Sequence, residues 1–148
     1  MSKDFIRSEF ASRSENEALA RVIVSAFVAR LDPTLEELDD VRTAVSEAVT
    51  NAIIHGYGHT DGIVYLTAEL IDQTLTLTVE DHGVGIADLT QAMQPLYTSK
   101  PDEERSGMGF TMMQTFMDDL FVSSAPGEGT KVVMIKSFRC LPKAALNL

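Results

Sequence analysis

Residues 63–81, IVYLTAELIDQTLTLTVED, contain two stretches in which apolar and polar residues alternate. The first is IVYLTAEL (63–70) and the second is TLTLTVED (74–81), with the short connection Ile71-Asp72-Gln73 between them. Alternation with a period of two is typical of strands that bury one face. The segment therefore predicts an antiparallel hairpin.

The chain before this hairpin predicts a strand and a helix. Residues 4–11 alternate weakly, which favours an edge strand, and Ser14 or Asn16 can begin a helix that runs to about Arg30. We place Arg21 opposite the apolar face of this helix, where it could contact a partner or simply be a solvated charge. The predicted apolar face consists of Ala18, Leu19, Val22, Ile23, Ala26 and Phe27.

A second helix is predicted between residue 34 and the glycines at 56, 58 and 62. Either Asp32 or Thr34 can cap it, and several acidic residues in its first turn suit the positive end of a helix. Its buried stripe is predicted to contain Leu38, Val41, Val45, Ala48, Val49, Ala52 and Ile53.

The chain after the hairpin predicts a long loop, a helix and a second hairpin. Residues 82–109 show little periodicity, FTMMQTFMDDL (110–120) reads as a helix, and LFVSSAP (120–126) and TKVVMIKSF (130–138) read as strands. This order predicts an α+β fold: a two-layer sandwich with helices on one face of a mixed, mostly antiparallel sheet. We expect one domain over residues 1–138 and a tail over 139–148.

Composition limits the partners. The 148 residues carry 12 basic and 22 acidic side chains, a net charge of −10, which disfavours direct contact with nucleic acid or an anionic membrane. A basic protein partner would suit this charge. The single cysteine, Cys140, and the lack of an apolar run of about 18 residues predict a soluble cytoplasmic protein.

Glu47 and Asn51 lie four residues apart in VSEAVTNAIIHGYG (45–58), so they share one face of the second predicted helix. An amide oxygen is a suitable Mg²⁺ ligand, and a carboxylate beside it can accept a proton from a hydroxyl. Taken alone, the pair is better explained as a solvated helix face.

Asp81, Gly83 and Gly85 end a predicted strand in EDHGVGI (80–86). A carboxylate accepts hydrogen bonds from an amine such as that of adenine, and the glycines permit a tight turn close to a ligand. A plain turn is the alternative. A Rossmann site is disfavoured because the acid precedes the glycines here.

Two later features could contact phosphate or the base. Gly107, Met108 and Gly109 precede a helix in RSGMGF (105–110), where exposed amides and the helix dipole favour an anion. Thr130 follows Gly129 at the start of a strand, and its hydroxyl could support Asp81.

The polar loop ADLTQAMQPLYTSKPDEERS (87–106) is long enough to act as a lid. Lys100 and Arg105 in this loop could reach terminal phosphate oxygens, and Arg105 offers the better bidentate geometry. Solvated surface charge is the alternative for both residues.

The order of these clusters resembles the Bergerat-type nucleotide-binding domain that gyrase, Hsp90, histidine kinases and MutL share. The resemblance implies ATP or ADP as ligand, Asn51 as Mg²⁺ ligand, Asp81 as the adenine contact and Glu47 as catalytic base. It also implies that the glycines at 83, 85, 107 and 109 shape the lid hinges and phosphate contacts, and that Thr130 supports the adenine site.

A closer resemblance is carried by VSEAVTNAIIHGY (45–57), QPLYTSKPDEERSGMGF (94–110) and FMDDL (116–120). These strings are similar to those of the bacterial anti-sigma-factor serine kinases, most of all the sporulation sigma-F branch. Membership implies a homodimer that sequesters a sigma factor of the sigma-F type and phosphorylates an anti-anti-sigma protein on serine.

Three other activities stay open at this point. A histidine kinase module is disfavoured, since the chain has no room for a helical dimerisation domain with a phosphoacceptor. A nucleotide-gated switch without phosphotransfer, and a stress-response relative that acts on another sigma factor, both remain compatible with the motifs.

Overall fold

The structure, a computed structural model, describes residues 3–58, 60–94 and 109–139. A 3₁₀ turn over Ala29–Leu31 follows the first helix, and a π-helical turn over Ala52–Gly56 follows the second. The elements are β1 (Lys3–Ala11), α1 (Glu15–Val28), α2 (Leu35–Asn51), β2 (Ile63–Ile71), β3 (Thr74–Asp81), α3 (Leu89–Ala92), α4 (Gly109–Phe116), β4 (Asp119–Ser124) and β5 (Thr130–Ser137).

The five strands form one sheet in the order β1-β2-β3-β5-β4. Every pairing among the described residues is antiparallel, so the sheet expected to be mixed is antiparallel throughout this part of the chain. The hairpin predicted at 63–81 is confirmed, with Leu66 of β2 opposite Val79 of β3. The two-layer α+β sandwich is confirmed as well, because one face of the sheet is buried against the helices.

Helix α2 begins at a capping box. The Thr34 Oγ1 accepts the Glu37 N–H at 3.1 Å, and the Glu37 Oε1 accepts the Thr34 N–H at 3.0 Å. These two bonds satisfy backbone donors that a helix start leaves unpaired. Of the two predicted caps, Thr34 is therefore the one used, while Asp32 takes a left-handed conformation with φ of 53°.

The apolar face predicted for α1 is correct at Phe27, which is buried, and at Ile23, which packs against the core, but its other members are exposed. Leu19 and Val22 on that face are 47% and 64% exposed, whereas the residues that enter the core are Ala20, Val24, Phe27 and Val28. Apolar residues surround most of this helix, so its sequence contains two overlapping stripes. Packing against α2 and the sheet selects the second stripe and leaves the first in contact with solvent.

The helix predicted at 110–120 ends earlier, at Phe116, and Asp119 already belongs to β4. The cause is non-local. The Asp118 N–H donates to the Ile135 C=O at 2.9 Å, which draws the chain onto β5. The buried Lys136 donates to the Phe116 C=O at 3.0 Å and so satisfies a carbonyl at the helix end.

Candidate nucleotide-binding site

A cavity of about 290 Å³ opens at the end of the sheet where β3 finishes and β5 begins. The C-terminal half of α2, the π-helical turn, residues 84–94 and the start of α4 complete its wall. Its size approaches the lower end of small-molecule sites, roughly 300 Å³. The predicted site residues that line it are Asn51, Asp81, Gly85, Gly109 and Thr130, and its apolar walls include Val79, Ile86, Phe110 and Val132.

Asp81 is a buried carboxylate at the cavity wall. It continues the buried face of β3, so its side chain points toward the helix layer and is only 4% exposed. Burial raises the pKa of Asp81, and the backbone N–H groups of Gly83 and Thr130 oppose that rise. A carboxylate in this setting is a strong acceptor for a ligand N–H group.

The π-helical turn brings backbone directly against this carboxylate. A Cβ on Gly56 would lie 2.7 Å from the Asp81 Cγ, so no larger residue fits without displacing the acid. The sequence analysis took Gly56 only as a helix terminator. Its approach to Asp81 depends on a π turn, and helical periodicity gives no signal for one.

The loop after β3 is held against the same turn. Gly83 donates its N–H to the Asp81 Oδ1 at 2.9 Å, and a Cβ on Gly83 would lie 1.9 Å from the Gly56 C=O oxygen. Gly85 has φ of +75°, a conformation that favours glycine, and borders the cavity. Both glycines lie in the tight turn that follows β3, and their contact with a ligand stays a prediction.

We expect Gly83→Ala to disrupt this site. The added methyl meets backbone rather than a movable side chain, so the loop and the π turn must separate, at a cost of about 2 kcal/mol in unfolding free energy. The melting temperature should fall by about 4–8 °C, and ADP affinity measured by calorimetry should fall with it.

Gly127→Asn is the matched control for this experiment. Gly127 also has a positive φ, which asparagine tolerates, and nothing lies within 4 Å of a Cβ placed on it. This variant should keep both stability and ADP affinity. Equal effects of the two substitutions would contradict a specific role for the close approach at Gly83.

Thr130 is held by a hydroxyl that the sequence analysis missed. The Ser124 Oγ donates to the Gly129 C=O at 2.8 Å and accepts the Ile86 N–H at 2.7 Å. It also lies 2.8 Å from the Thr130 Oγ1, and because its own proton is already used, Thr130 must be the donor. The Thr130 oxygen thus keeps its lone pairs for the cavity side. A serine in a strand gives no sequence signal for this role.

Helix α2 places Asn51 in the cavity wall, and Glu47 lies one turn earlier on the same side of the helix, half-buried. Glu47 is not among the described residues that line the cavity.

No group of three or more His, Cys, Asp or Glu in the described ranges could hold a metal ion. A single amide ligand instead fits Mg²⁺ that is bound mainly by phosphate and water.

Several predicted residues have other outcomes. Lys100, Arg105, Gly107 and Met108 lie outside the described residues.

Arg21 does not lie opposite the buried face of α1. Its Nε is 2.8 Å from the Glu17 Oε1, and Glu17 also accepts a hydrogen bond from the Ser46 hydroxyl on α2, so Arg21 borders the junction of the two helices.

Comparison with known proteins agrees with this geometry. Residues 10–136 match the family described as a histidine kinase-like ATPase domain. An anti-sigma F factor from Clostridium novyi is 56% identical over 142 residues, which cover 95% of this chain and 99% of the relative. An anti-sigma F factor from Clostridium beijerinckii is 60% identical, covering 93% and 97%. This chain belongs to the anti-sigma F factor family.

Two solved structures share the fold. The RsbU and RsbW domains of Rv1364c from Mycobacterium tuberculosis align with a TM-score of 0.65 and 16% identity, over 91% of this chain and 32% of that one. Full-length ShkA in complex with AMPPNP aligns with a TM-score of 0.54 and 19% identity, over 71% and 23%. No helix among the described residues is long and apolar enough to cross a bilayer.

Proposed function

We propose that this member of the anti-sigma F factor family is an ATP-dependent protein-serine kinase that also sequesters a sigma factor of the sigma-F type. Its phosphorylation substrate would be an anti-anti-sigma protein. The observation that carries the proposal is the buried Asp81 carboxylate in a cavity whose wall also contains Asn51. Sequence identity of 56–60% to anti-sigma F factors supports the choice of sigma factor.

In the proposed complex, the cavity holds the adenosine part of ATP. Asp81 accepts a hydrogen bond from the adenine amine, and Thr130 offers a second acceptor beside it. Gly85 and Gly109 border the cavity and let the ligand approach the backbone. Mg²⁺ bound to the Asn51 amide oxygen and to phosphate oxygens would neutralise charge on the nucleotide.

The proposed reaction is transfer of the γ-phosphoryl group to a partner serine. The Glu47 carboxylate takes the proton of the serine hydroxyl while the serine oxygen forms a bond to the γ-phosphorus. The bond between that phosphorus and the bridging oxygen breaks, and ADP leaves. Lys100 and Arg105, with the amides at Gly107 and Met108, would contact the terminal phosphates.

We further propose a homodimer and a protein-binding surface on α1. Leu19 and Val22 are exposed there, and Arg21 keeps 37% of its side chain exposed beside them. A net charge of −10 suits partners with a basic surface and disfavours nucleic acid or an anionic membrane as direct ligands. Such a protein would act in the cytoplasm.

Intact-mass spectrometry tests the kinase directly. The chain would be incubated with Mg·ATP and the anti-anti-sigma protein from the same genome, and we expect one added phosphate on the partner, mapped to a serine. A partner that stays unmodified while ATP binds would replace the kinase with a nucleotide-gated binding switch.

A further inference from the structure

The ladder between β2 and β3 stops just before Asp81. The last facing pair that these two strands form is Tyr65 with Glu80. Continued by two residues, the same register would bring Ile63 opposite His82, the residue that follows Asp81. A direct hydrogen bond between Ile63 and His82 would therefore extend the ladder past the carboxylate.

The backbone of Ile63 is oriented for such a bond. The C=O of the preceding Gly62 points the other way and accepts the Ser12 N–H at 3.0 Å, so the backbone groups of Ile63 face β3. The Ile63 C=O and the His82 N–H are the acceptor and the donor that a continued ladder would join. Instead, the hydroxyl of Tyr57 lies between them.

The Tyr57 hydroxyl bridges the two strands. It accepts the His82 N–H at 2.8 Å and donates its proton to the Ile63 C=O at 2.5 Å. The amide nitrogen and the carbonyl oxygen thus lie roughly 4–5 Å apart, instead of the about 2.9 Å of a direct ladder bond. The hydroxyl therefore keeps β3 separated from β2 at the residue next to Asp81.

Tyr57 also holds the π-helical turn. Its N–H donates to the Ala52 C=O at 3.1 Å across that turn, and its C=O accepts the Thr60 N–H at 3.1 Å. The preceding residue, Gly56, is the one whose backbone lies against the Asp81 carboxylate. Tyr57 therefore connects the turn on one side of Asp81 to the strand end that carries Asp81.

We propose that Tyr57 is a positioning residue that fixes the place of the Asp81 carboxylate and thereby the preference of the site for adenine. The inference rests on the proposed function, in which Asp81 accepts the adenine amine. Tyr57 is not among the described residues that line the cavity, so it acts through Asp81 and does not touch the base. Without the hydroxyl, the ladder closes directly or the end of β3 loses a fixed partner, and either change shifts Asp81 relative to the π-helical turn.

The choice between two nucleotides tests this role. Inosine diphosphate (IDP) carries a carbonyl oxygen in place of the adenine amine, so it cannot donate to Asp81 at that position, and the wild type should bind ADP more tightly than IDP. Tyr57→Phe removes only the hydroxyl. We expect its ADP affinity, measured by calorimetry, to fall roughly 10-fold while its IDP affinity changes by less than about twofold. Damage unrelated to Asp81 would weaken both nucleotides equally, and such a result would overturn the inference.

Tyr65→Phe is the matched control. The Tyr65 ring lies 4.9 Å from the His82 ring, centroid to centroid, and its hydroxyl forms no hydrogen bond within the part of the chain that the structure describes. The control removes the same atom from a neighbouring tyrosine, so it should keep the wild-type ratio of ADP to IDP affinity. An equal loss of that ratio in both variants would overturn a specific role for Tyr57.

Gly62→Ala displaces the Tyr57 ring by another route and keeps the inference testable if Tyr57→Phe fails to fold. A Cβ on Gly62 would lie 2.3 Å from that ring, and Gly62 is not one of the glycines with a positive φ. Gly62→Ala should therefore lower the preference for ADP as well. The double variant Tyr57→Phe/Gly62→Ala should show no further loss, because the bridge is already absent. Losses that multiply in the double variant would overturn a shared action through the hydroxyl.

Failure of this inference differs from failure of the proposed function. A wild type that prefers ADP, together with a Tyr57→Phe variant that keeps the full preference, would overturn positioning by Tyr57 alone. A wild type that binds ADP and IDP equally would overturn the contact between Asp81 and adenine, and this inference with it. A wild type that binds neither nucleotide would overturn the proposed function itself.

Discussion

The Asp81→Asn variant should lose nucleotide affinity and gain thermal stability in the absence of nucleotide. The substitution keeps the shape of the side chain, and the amide oxygen can still accept the Gly83 N–H. It replaces an acceptor-only group with one that can turn an NH₂ toward the adenine amine. Loss of a hydrogen bond to a charged group, with a donor left unpaired, costs about 3 kcal/mol, so ADP affinity should fall roughly 100-fold.

The gain in stability follows from the pKa of Asp81. Burial raises that pKa, so the folded state holds the Asp81 proton more tightly than the unfolded chain does. The stability contributed by this group is complete at acidic pH and is lost as the pH rises through the raised pKa. At neutral pH, burial of the Asp81 carboxyl group therefore costs the wild type stability, and asparagine removes this titratable group, which should raise the melting temperature by about 2–4 °C per kcal/mol recovered.

Calorimetry with ADP and thermal unfolding without nucleotide together test this pair of effects. Glu80→Gln is the control, because Glu80 is adjacent in β3 but its side chain is 42% exposed on the other face. It should leave ADP affinity unchanged. Unchanged ADP affinity in Asp81→Asn would exclude Asp81 from the site, whereas loss of both affinity and stability would indicate that the substitution damages the fold.

The hairpin and the order of elements could be predicted because their signals are local. Alternation in 63–81 identifies β2, β3 and their buried face, and Thr34 with Glu37 identifies the start of α2. The buried face of α1 could not be predicted, since apolar residues lie on most sides of that helix and tertiary packing selects one. The end of α4 depends on Asp118 and Lys136, whose partners lie about 20 residues away in sequence.

In the site, too, residues with local signals could be predicted and residues that act through tertiary contacts could not. Asp81, Gly85 and Thr130 were identified from residue types at strand ends together with the family resemblance, and they do line one cavity. Gly56 and Ser124 were missed because each acts through a contact that no spacing encodes. Gly56 needs the π turn to reach Asp81, and Ser124 needs β4 to lie beside β5 before its hydroxyl can hold Thr130.

Glu47→Ala should bind ADP with nearly normal affinity and lose phosphotransfer. Glu47 shares a helix side with Asn51 but is not among the described cavity residues, so its removal leaves the contacts proposed for adenosine in place. A positioned general base typically contributes about 10²–10⁴-fold to rate. We therefore expect single-turnover phosphotransfer to the anti-anti-sigma protein to fall by roughly that factor.

Two further variants separate proton acceptance from structure. Glu47→Gln keeps the size and hydrogen-bonding reach of the side chain but removes its basicity, so it should be as inactive as Glu47→Ala while its melting temperature stays close to the wild-type value. Glu36→Gln removes an exposed acid from the first turn of the same helix and should phosphorylate normally.

The ranking of these variants identifies the role of Glu47. Inactive Ala and Gln variants with normal ADP affinity would agree with a base that acts only on the transferring proton. Activity in Glu47→Gln but not in Glu47→Ala would mean that the side chain positions a group and accepts no proton. Full activity in both variants would exclude Glu47 from the reaction. Another base, in this chain or in the partner, would then have to take the serine proton.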